Sequence, residues 1–569
     1  MQDYTYKSLN GSWKYRKLVE QRGQTSKFER IHVPTFWNDR FRYCQKEYHK
    51  KFKINSHHER VILTFDRLDF PAKIYLNEEM IYSHEGDEIF VEIEITREII
   101  KEDDNILKIK AEHSNKINLI RGDVYLRLGN SDLSFQNKKY SQEQAINIPD
   151  WVDNSIIYEI YVRNFSQSGD LSEVRKSLKS FKSLGINCLW LIPVFPIGEL
   201  NKKGKLGSPY SIRNYKAVNP NLGDENELNK LVKKAHKMEM KVILDIACNH
   251  SARDNPLVSQ HPEWYKREEN GKLKHPKGTN WIDVADLDYS NYNLRKYMLQ
   301  VLKYWIEEYE IDGYRMDVAE FLPLEFWRNA LEKIKEVKPE IMMLAEGDHP
   351  KLHSSAFHLS YSWNIRFAVI EILNRGASAE IFGTQILSER KHYPIDYLRM
   401  RFTENHDLQR ANKVFGVKKS KIAAVLSYLI EGVPMVYNGQ EIGANSTPSL
   451  FNNDPIVWHN KNRGLEKFYA KLFKIRKDFQ LSEFNQEVFL QNTRQEEIIS
   501  FLRRKEKEGV FIIVNTRSTS KKVQINFPGL KKCTDFKILM GNYKDLEVNQ
   551  GKFKIKLLEY GFSIFHLEI

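Results

Sequence analysis

Cysteine is scarce. Cys44, Cys188, Cys248 and Cys533 form neither a CxxC pair nor a zinc spacing, which excludes a disulfide-stapled scaffold and a cysteine-held metal; free buried thiols in a reducing compartment are the expectation. No run of about 18 apolar residues occurs, so no membrane-spanning helix is expected. Met1 to Lys7 lack the apolar stretch of a signal peptide. The expectation is a cytoplasmic protein, or a secreted one if the N-terminus has been trimmed. Internal repeats and low-complexity tracts are absent, which argues against solenoids and disordered tails. Charge of one sign is in excess, at +13. The basic residues alternate with acids, however, and clusters such as Lys50-Lys51-Phe52-Lys53 and Lys418-Lys419-Ser420-Lys421 are short. With no nucleic-acid motif beside them, they read as solvated surface, and neither nucleic acid nor membrane is an expected partner.

What is present is ordinary soluble-protein material, 41% hydrophobic and 29% charged, in a chain of 569 residues, too long for one core. Residues 1–145 read as short strands with turn residues between them. Val61–Phe65 and Lys73–Leu76 are rich in β-formers, and Phe90–Ile95 and Ile106–Lys110 alternate with period two. This pattern predicts a β-sandwich. From 146 to about 475 the pattern changes to apolar strands separated by amphipathic helices, the signature of βα units and a parallel sheet. The strands are expected at Ile156–Val162, Asn187–Phe195, Lys241–Ala247, Gly313–Met316, Ile341–Ala345, residues 360–365, Tyr397–Phe402 and Val433–Tyr437. Eight of them predict a closed (β/α)8 barrel. An insertion at 251–290, rich in Pro, Lys, Asn and aromatics, leaves the barrel after His250. Residues 476–569 alternate again and predict a C-terminal antiparallel β-sandwich.

Four stretches stand at or just past the ends of apolar strand-like runs: Asp245 to His250, Gly313 to Asp317, Met342 to Gly347, and Phe402 to Asp407. In a parallel barrel all such ends point to one face, so Asp317, Glu346 and Asp407 should converge. Two carboxyl groups roughly 5 Å apart are what glycoside cleavage with retention requires. One attacks the anomeric carbon; the other, held protonated, serves the leaving oxygen and later activates water. Arg315 lies two residues before Asp317 and so shares its face on a strand. A fixed cation there is expected to keep Asp317 ionised.

At these residues the chain resembles the α-amylase family of glycoside hydrolases and transglycosidases. It has DxxxNH at Asp245 to His250, GxRxD at Gly313 to Asp317, a strand-end Glu346, and NHD at Asn405 to Asp407. Ile160 to Phe165, Gly207 to Tyr210 with Tyr215, and Gly432 to Glu441 extend the match over residues 150–569. The resemblance implies Asp317 as nucleophile, Glu346 as acid/base and Asp407 as transition-state stabiliser. Tyr210, Asp245, His250, Arg315 and His406 would line the subsite holding the attacked glucose. The N-terminal runs Leu9 to Trp13, Val33 to Asn38 and Ile74 to Asn77 resemble the jelly-roll of β-galactosidase and β-glucuronidase enzymes. That implies a buttress or cleft wall, with an independent sugar site as the alternative, and Trp13 and Trp37 as core.

Departures from the family pattern matter. Glu320 and Phe321 occupy the places where many α-amylases carry Lys-His, and Asp348 stands where an aromatic residue usually follows the third motif. Endo-action on starch is therefore not the expected activity. The chemistry implies no cofactor. Asn249 and Asp286 match two positions that hold structural calcium in many relatives, although calcium takes six or more oxygens. The expected activity is retaining hydrolysis of α-glucosidic, mainly α-1,4, bonds in malto-oligosaccharides, cyclodextrins or related α-glucans. The alternatives are an α-glucan transglycosylase on the same site and a non-catalytic carbohydrate-binding scaffold.

Overall fold

A computed structural model describes residues 140–568 apart from 277–278, 459–461, 485, 507, 527–535, 542 and 550. Before them it describes residues 4–9, 11–18, 28–33, 45–54, 60–65, 68, 70–84, 91–101, 104–111 and 124–129. At its centre is a closed barrel of eight parallel strands. They are Ile157–Ile160, Cys188–Leu191, Lys241–Ile246, Gly313–Met316, Met342–Ala345, Leu359–Tyr361, Arg399–Arg401 and Val433–Tyr437. The last pairs with the first, Ile157 lying opposite Met435.

Alternation along each strand sorts its side chains. Ile157, Cys188, Trp190, Ile243, Met342, Leu344, Leu359, Tyr361, Met400, Phe402, Val433 and Met435 form one buried cluster, the barrel interior. Tyr158, Ile160, Leu189, Leu191, Val242, Leu244, Met343 and Val436 join the larger core shared with the helices. Local chemistry sets the helix ends. Asp170 caps Leu171–Leu184 by accepting from the Glu173 N–H, and Gly185, at φ 102°, ends it. Asp224 caps Glu225–Lys237 in the same way, through Glu227.

Six of the eight barrel strands are shorter than expected, the second most of all, Cys188–Leu191 in place of Asn187–Phe195. The sixth is Leu359–Tyr361, because the chain turns into the helix Trp363–Arg375 instead of running on to 365. The seventh is Arg399–Arg401. The turn from Pro394 to Tyr397, with Asp396 at a φ of 59°, occupies the stretch before it.

The insertion begins as a strand. His250–Ala252 pairs antiparallel with Val284–Asp286, so the excursion is pinned at its root beside the barrel mouth. Among the described residues the N-terminal part is two antiparallel sheets, of four and six strands, around one core. Trp13 belongs to that core and donates its indole N–H to the Leu9 carbonyl at 2.9 Å; Trp37 lies outside the described residues. Phe367, on a barrel helix, packs against the same core. Among the described residues the C-terminal part is a five-stranded and a three-stranded antiparallel sheet with its own buried cluster. Cys188 and Cys248 are buried free thiols, while Cys44 and Cys533 lie outside the described residues.

Candidate active site

Following the inward-facing positions along the barrel strands, apolar side chains give way to charge. Ile157 is succeeded by Glu159, Ile243 by Asp245, Gly313 by Arg315 and then Asp317, Leu344 by Glu346. The charged positions are the C-terminal ones, so they meet at one mouth. Arg315 is their hub. Its Nη1 donates to Asp245 Oδ1 and Asp317 Oδ1, both at 2.9 Å. Its Nη2 lies 2.8 Å from Glu346 Oε2, an ionic contact off the hydrogen-bonding direction. Arg315 has no exposed surface, and its guanidinium stands over Trp190, Tyr210 and Tyr361 at 5.4–5.8 Å from the ring centres. Removing a partner from so buried a charge typically costs several kcal/mol, about 3–5.

Exposure is graded across the carboxylates. Side-chain exposure is 0% for Asp245, 10% for Asp317, 20% for Glu346 and 43% for Asp407, so the last three open onto the cleft and Asp245 does not. Asp245 accepts from Trp190 Nε1 at 3.1 Å and from Tyr210 Oη at 3.0 Å. The expectation that Asp245 and Arg315 line the sugar subsite therefore changes. Both lie beneath its floor, hydrogen-bonded to each other, to buried Trp190 and Tyr361, and to Tyr210 and Asp317 nearer the surface. Tyr210 and His406 stack at 5.6 Å, and the Tyr210 hydroxyl lies 2.8 Å from His406 Nε2.

The Asn405–Asp407 turn is anchored from behind. Asn405 Oδ1 accepts from the Asp407 N–H at 3.0 Å, and buried Glu404 pairs with Arg410 Nη1 at 2.7 Å. His406 Nε2 lies 3.0 Å from Asp407 Oδ2, while its Nδ1 is in short contact with Glu159 Oε1.

Burial drives the electrostatics. It raises Asp317 to about 6; Arg315 opposes it, and the nearby Asp245 and Asp407 charges add to it. Arg315 alone therefore does not set the ionisation of Asp317, as the sequence suggested, because desolvation and like charge outweigh it. Burial raises Glu346 to about 7, against Arg315 and with the help of Asp317 and Asp407. At Asp407 burial is outweighed by His406, and the carboxyl falls below its ordinary value. His406 is held well above the ordinary imidazole value, because Asp407 and Glu159 outweigh its burial. His250 is pushed down to about 4 by burial and is neutral; its ring meets Trp281 edge-on at 5.4 Å.

The departures after the second and third motifs are coupled in space. Glu320 accepts the N–H groups of Asp348 and His349, both at 2.8 Å. A Cβ on Gly347 would stand 2.7 Å from Glu320 Oε1, so any side chain there would push Glu320 away from these amides. Glu320 thus fastens the loop after Glu346. Phe321, half-buried, stacks with half-buried Trp281 at 6.3 Å and 23°.

The calcium pair fits the ion poorly. Lys266 Nζ sits 3.0 Å from Asp286 Oδ2 and supplies the positive charge there. Asn249 does offer a buried amide oxygen with no hydrogen-bond partner, one free ligand atom of the six or more that calcium takes. Among the described residues no group of three or more His, Cys, Asp or Glu side chains is placed to hold a metal.

Motif reading missed Glu159, Trp190, Tyr361, Val318 and Trp281. Glu159 had a signal, being a lone acid inside the apolar run Ile156–Val162. The others are aromatic or aliphatic residues that look like core until the barrel is closed.

Fold and site together define a (β/α)8-barrel enzyme with a clustered-carboxylate centre. The catalytic-domain model of the alpha-amylase family matches residues 134–480, and the chain belongs to that family of glycoside hydrolases. A cyclomaltodextrinase of Thermoanaerobacter pseudethanolicus is 26% identical over 518 residues, covering 82% of this chain and 88% of that one. Neopullulanase 2 of Thermoactinomyces vulgaris is 24% identical over 477 residues, covering 75% and 80%. The crystal structure of a noncanonic maltogenic alpha-amylase from Thermotoga neapolitana matches with TM-score 0.68 at 30% identity, covering 73% of this chain and 99% of that one. No helix among the described residues is long and apolar enough to cross a membrane.

Proposed function

We propose that this enzyme hydrolyses α-glucosidic bonds, mainly α-1,4, in malto-oligosaccharides and cyclodextrins, with retention and through a covalent glycosyl-enzyme. Asp317 attacks the anomeric carbon while Glu346 gives its proton to the departing oxygen. Water, deprotonated by Glu346, then releases Asp317. Asp407, the most exposed of the three, meets sugar hydroxyls, with His406, His250 and Tyr210 around the same ring. The observation that carries this reading is the sharing of Arg315 by Asp317 and Glu346. A guanidinium is only a few ångström across, which favours the short carboxyl separation of retaining enzymes, about 5 Å, over the roughly 6.5–9.5 Å of inverting ones.

Relatives named cyclomaltodextrinase, neopullulanase and maltogenic alpha-amylase support short or cyclic α-glucans as substrates. Phe321 and Trp281 near the acid/base strand support stacking of a leaving sugar in place of a lysine contact. The chemistry is proposed to run without a metal, Lys266 taking the cation's place at Asp286. Buried free Cys188 and Cys248 support a reducing, cytoplasmic setting. The N-terminal sandwich acts as a buttress, its core reaching Phe367 of the barrel.

The test is a product profile on maltotriose, maltoheptaose, β-cyclodextrin, pullulan and starch, with the first-formed anomer followed by proton NMR. Maltose and glucose released as α-anomers are expected. Initial β-anomer overturns retention, and longer glucans as the main products identify a transglycosylase instead.

A further inference from the structure

We propose that Glu159 is a positioning residue for catalysis: from inside the first barrel strand it holds His406 as an imidazolium, with Nδ1–H directed to Glu159 and Nε2–H to Asp407 and the cleft. The proposal rests on the active-site reading above and adds a residue that none of the four motifs contains.

The geometry starts from the strand. Glu159 occupies the inward register, opposite Trp190 on one neighbour and Tyr437 on the other. It has no exposed surface. A carboxylate so placed is tolerated only when a cation or several donors face it. Its Oε1 meets His406 Nδ1 in a short contact, and Oε2 has no hydrogen-bond partner. The imidazole is thus the one group that hydrogen-bonds this acid's side chain among the described residues.

His406 is held on every side. Asp407 Oδ2 lies 3.0 Å from Nε2 and the Tyr210 hydroxyl 2.8 Å from it. Tyr210 stacks on the ring, and Trp190 meets it edge-on at 6.1 Å and 90°. Asp245 adds negative charge nearby, through the same Tyr210 hydroxyl. Burial raises the Glu159 carboxyl, and His406 and then Arg315 oppose it; at Asp407 His406 and Arg315 together outweigh burial, while Tyr361 and Tyr437 stand near Glu159 as neutral phenols. With an acid at each nitrogen, the doubly protonated ring satisfies both; a neutral ring satisfies one and leaves the other acid facing a lone pair. The proton shared with Glu159 belongs on the imidazole, because histidine is ordinarily the stronger base of the two.

The consequence for the reaction is indirect. A charged His406 keeps Asp407 ionised and aimed, and supplies a charge-assisted donor at the sugar. Neutralising Glu159 withdraws the second acid, and His406 becomes free to lose its proton within the working range of the enzyme.

The experiment compares the full-length enzyme with Glu159→Gln, which keeps the shape and removes the charge, and Glu159→Asp, which keeps the charge and shortens the reach. Imidazole 15N resonances, assigned with His406→Asn, report the ring directly. In the wild type both His406 nitrogens should remain protonated from pH 5.5 to 8. In Glu159→Gln the ring should lose a proton inside that range. kcat should fall about 10- to 100-fold with KM changed much less, and the alkaline limb of the pH profile should move to lower pH. Glu159→Asp should keep the wild-type profile with a partial loss of kcat. A neutral His406 at pH 7 in the wild type overturns the proposal, and this readout needs no variant to fold. A Glu159→Gln profile and kcat matching the wild type also overturn it. Neither result bears on retention, which the first-formed anomer decides.

Discussion

The N–H of Val318, the residue directly after Asp317, donates to Glu346 Oε2 at 2.8 Å. Val318 adopts the left-handed conformation, φ 36° and ψ 53°, which is strained for a β-branched side chain by roughly 1–3 kcal/mol. The strain turns the amide towards the neighbouring strand. The next amide, of Ala319, bonds the Glu346 carbonyl at 3.1 Å. The two acids are thus tied through backbone as well as through Arg315, and their separation does not depend on flexible side chains alone.

That linkage makes the roles separable by mutation. Asp317→Asn should lose at least about 1,000-fold in kcat on every substrate, because no nucleophile remains. Glu346→Gln should lose comparably on maltotriose and far less in the first step on α-glucosyl fluoride, whose leaving group needs no proton. Both proteins should still unfold cooperatively, each at a lower Tm than the wild type because buried Arg315 loses part of its compensating charge. Equal losses of Glu346→Gln on the two substrates would sink the acid/base assignment.

The pH dependence follows from signs. Asp317 must be ionised, so activity should rise as pH passes about 6. Glu346 must be protonated in the first step, so activity should fall as pH passes about 7. The profile of kcat/KM on maltotriose should be a narrow bell between those values, with macroscopic limits belonging to the pair. A plateau extending to pH 9 is incompatible with Glu346 as the acid.

Lys266 predicts indifference to chelators. EDTA should leave Tm and activity unchanged, whereas Lys266→Met, which strands the Asp286 carboxylate, should lower Tm by about a degree. Lys266 is partly exposed, so the cost is near that of a surface pair, about 1 kcal/mol or less. A fall in Tm on chelation, reversed by added calcium, would show that an ion is bound after all.

Trp281→Ala should raise KM for maltotriose about 3- to 10-fold, the range of one lost aromatic contact, and leave hydrolysis of α-glucosyl fluoride near normal. Phe321→Ala should act in the same direction. Equal effects on both substrates would place the pair on the glucose-holding side of the cleft.

Much of this was written locally in the chain. The eight βα units came from hydrophobic periodicity, and Asp170 and Gly185 mark their helix as any cap and stop do. The charged ends of the strands at Asp245, Asp317, Glu346 and Asp407 are adjacent to apolar runs, so a parallel barrel has to gather them at one mouth. Short strands were less legible, because Leu359–Tyr361 is too brief for a period and its start and finish depend on neighbours.

By itself the sequence determined which residues carry charge at the strand ends, since periodicity and residue type are properties of neighbouring positions. Only the closed barrel decided what that charge does. It buried Asp245 and Arg315 below the floor, set Glu159 behind His406, and brought Lys266 to Asp286. Desolvation and like charge summed over several strands placed Asp317 near 6 and Glu346 near 7. Those quantities depend on distances between residues up to hundreds of positions apart, which no local pattern encodes.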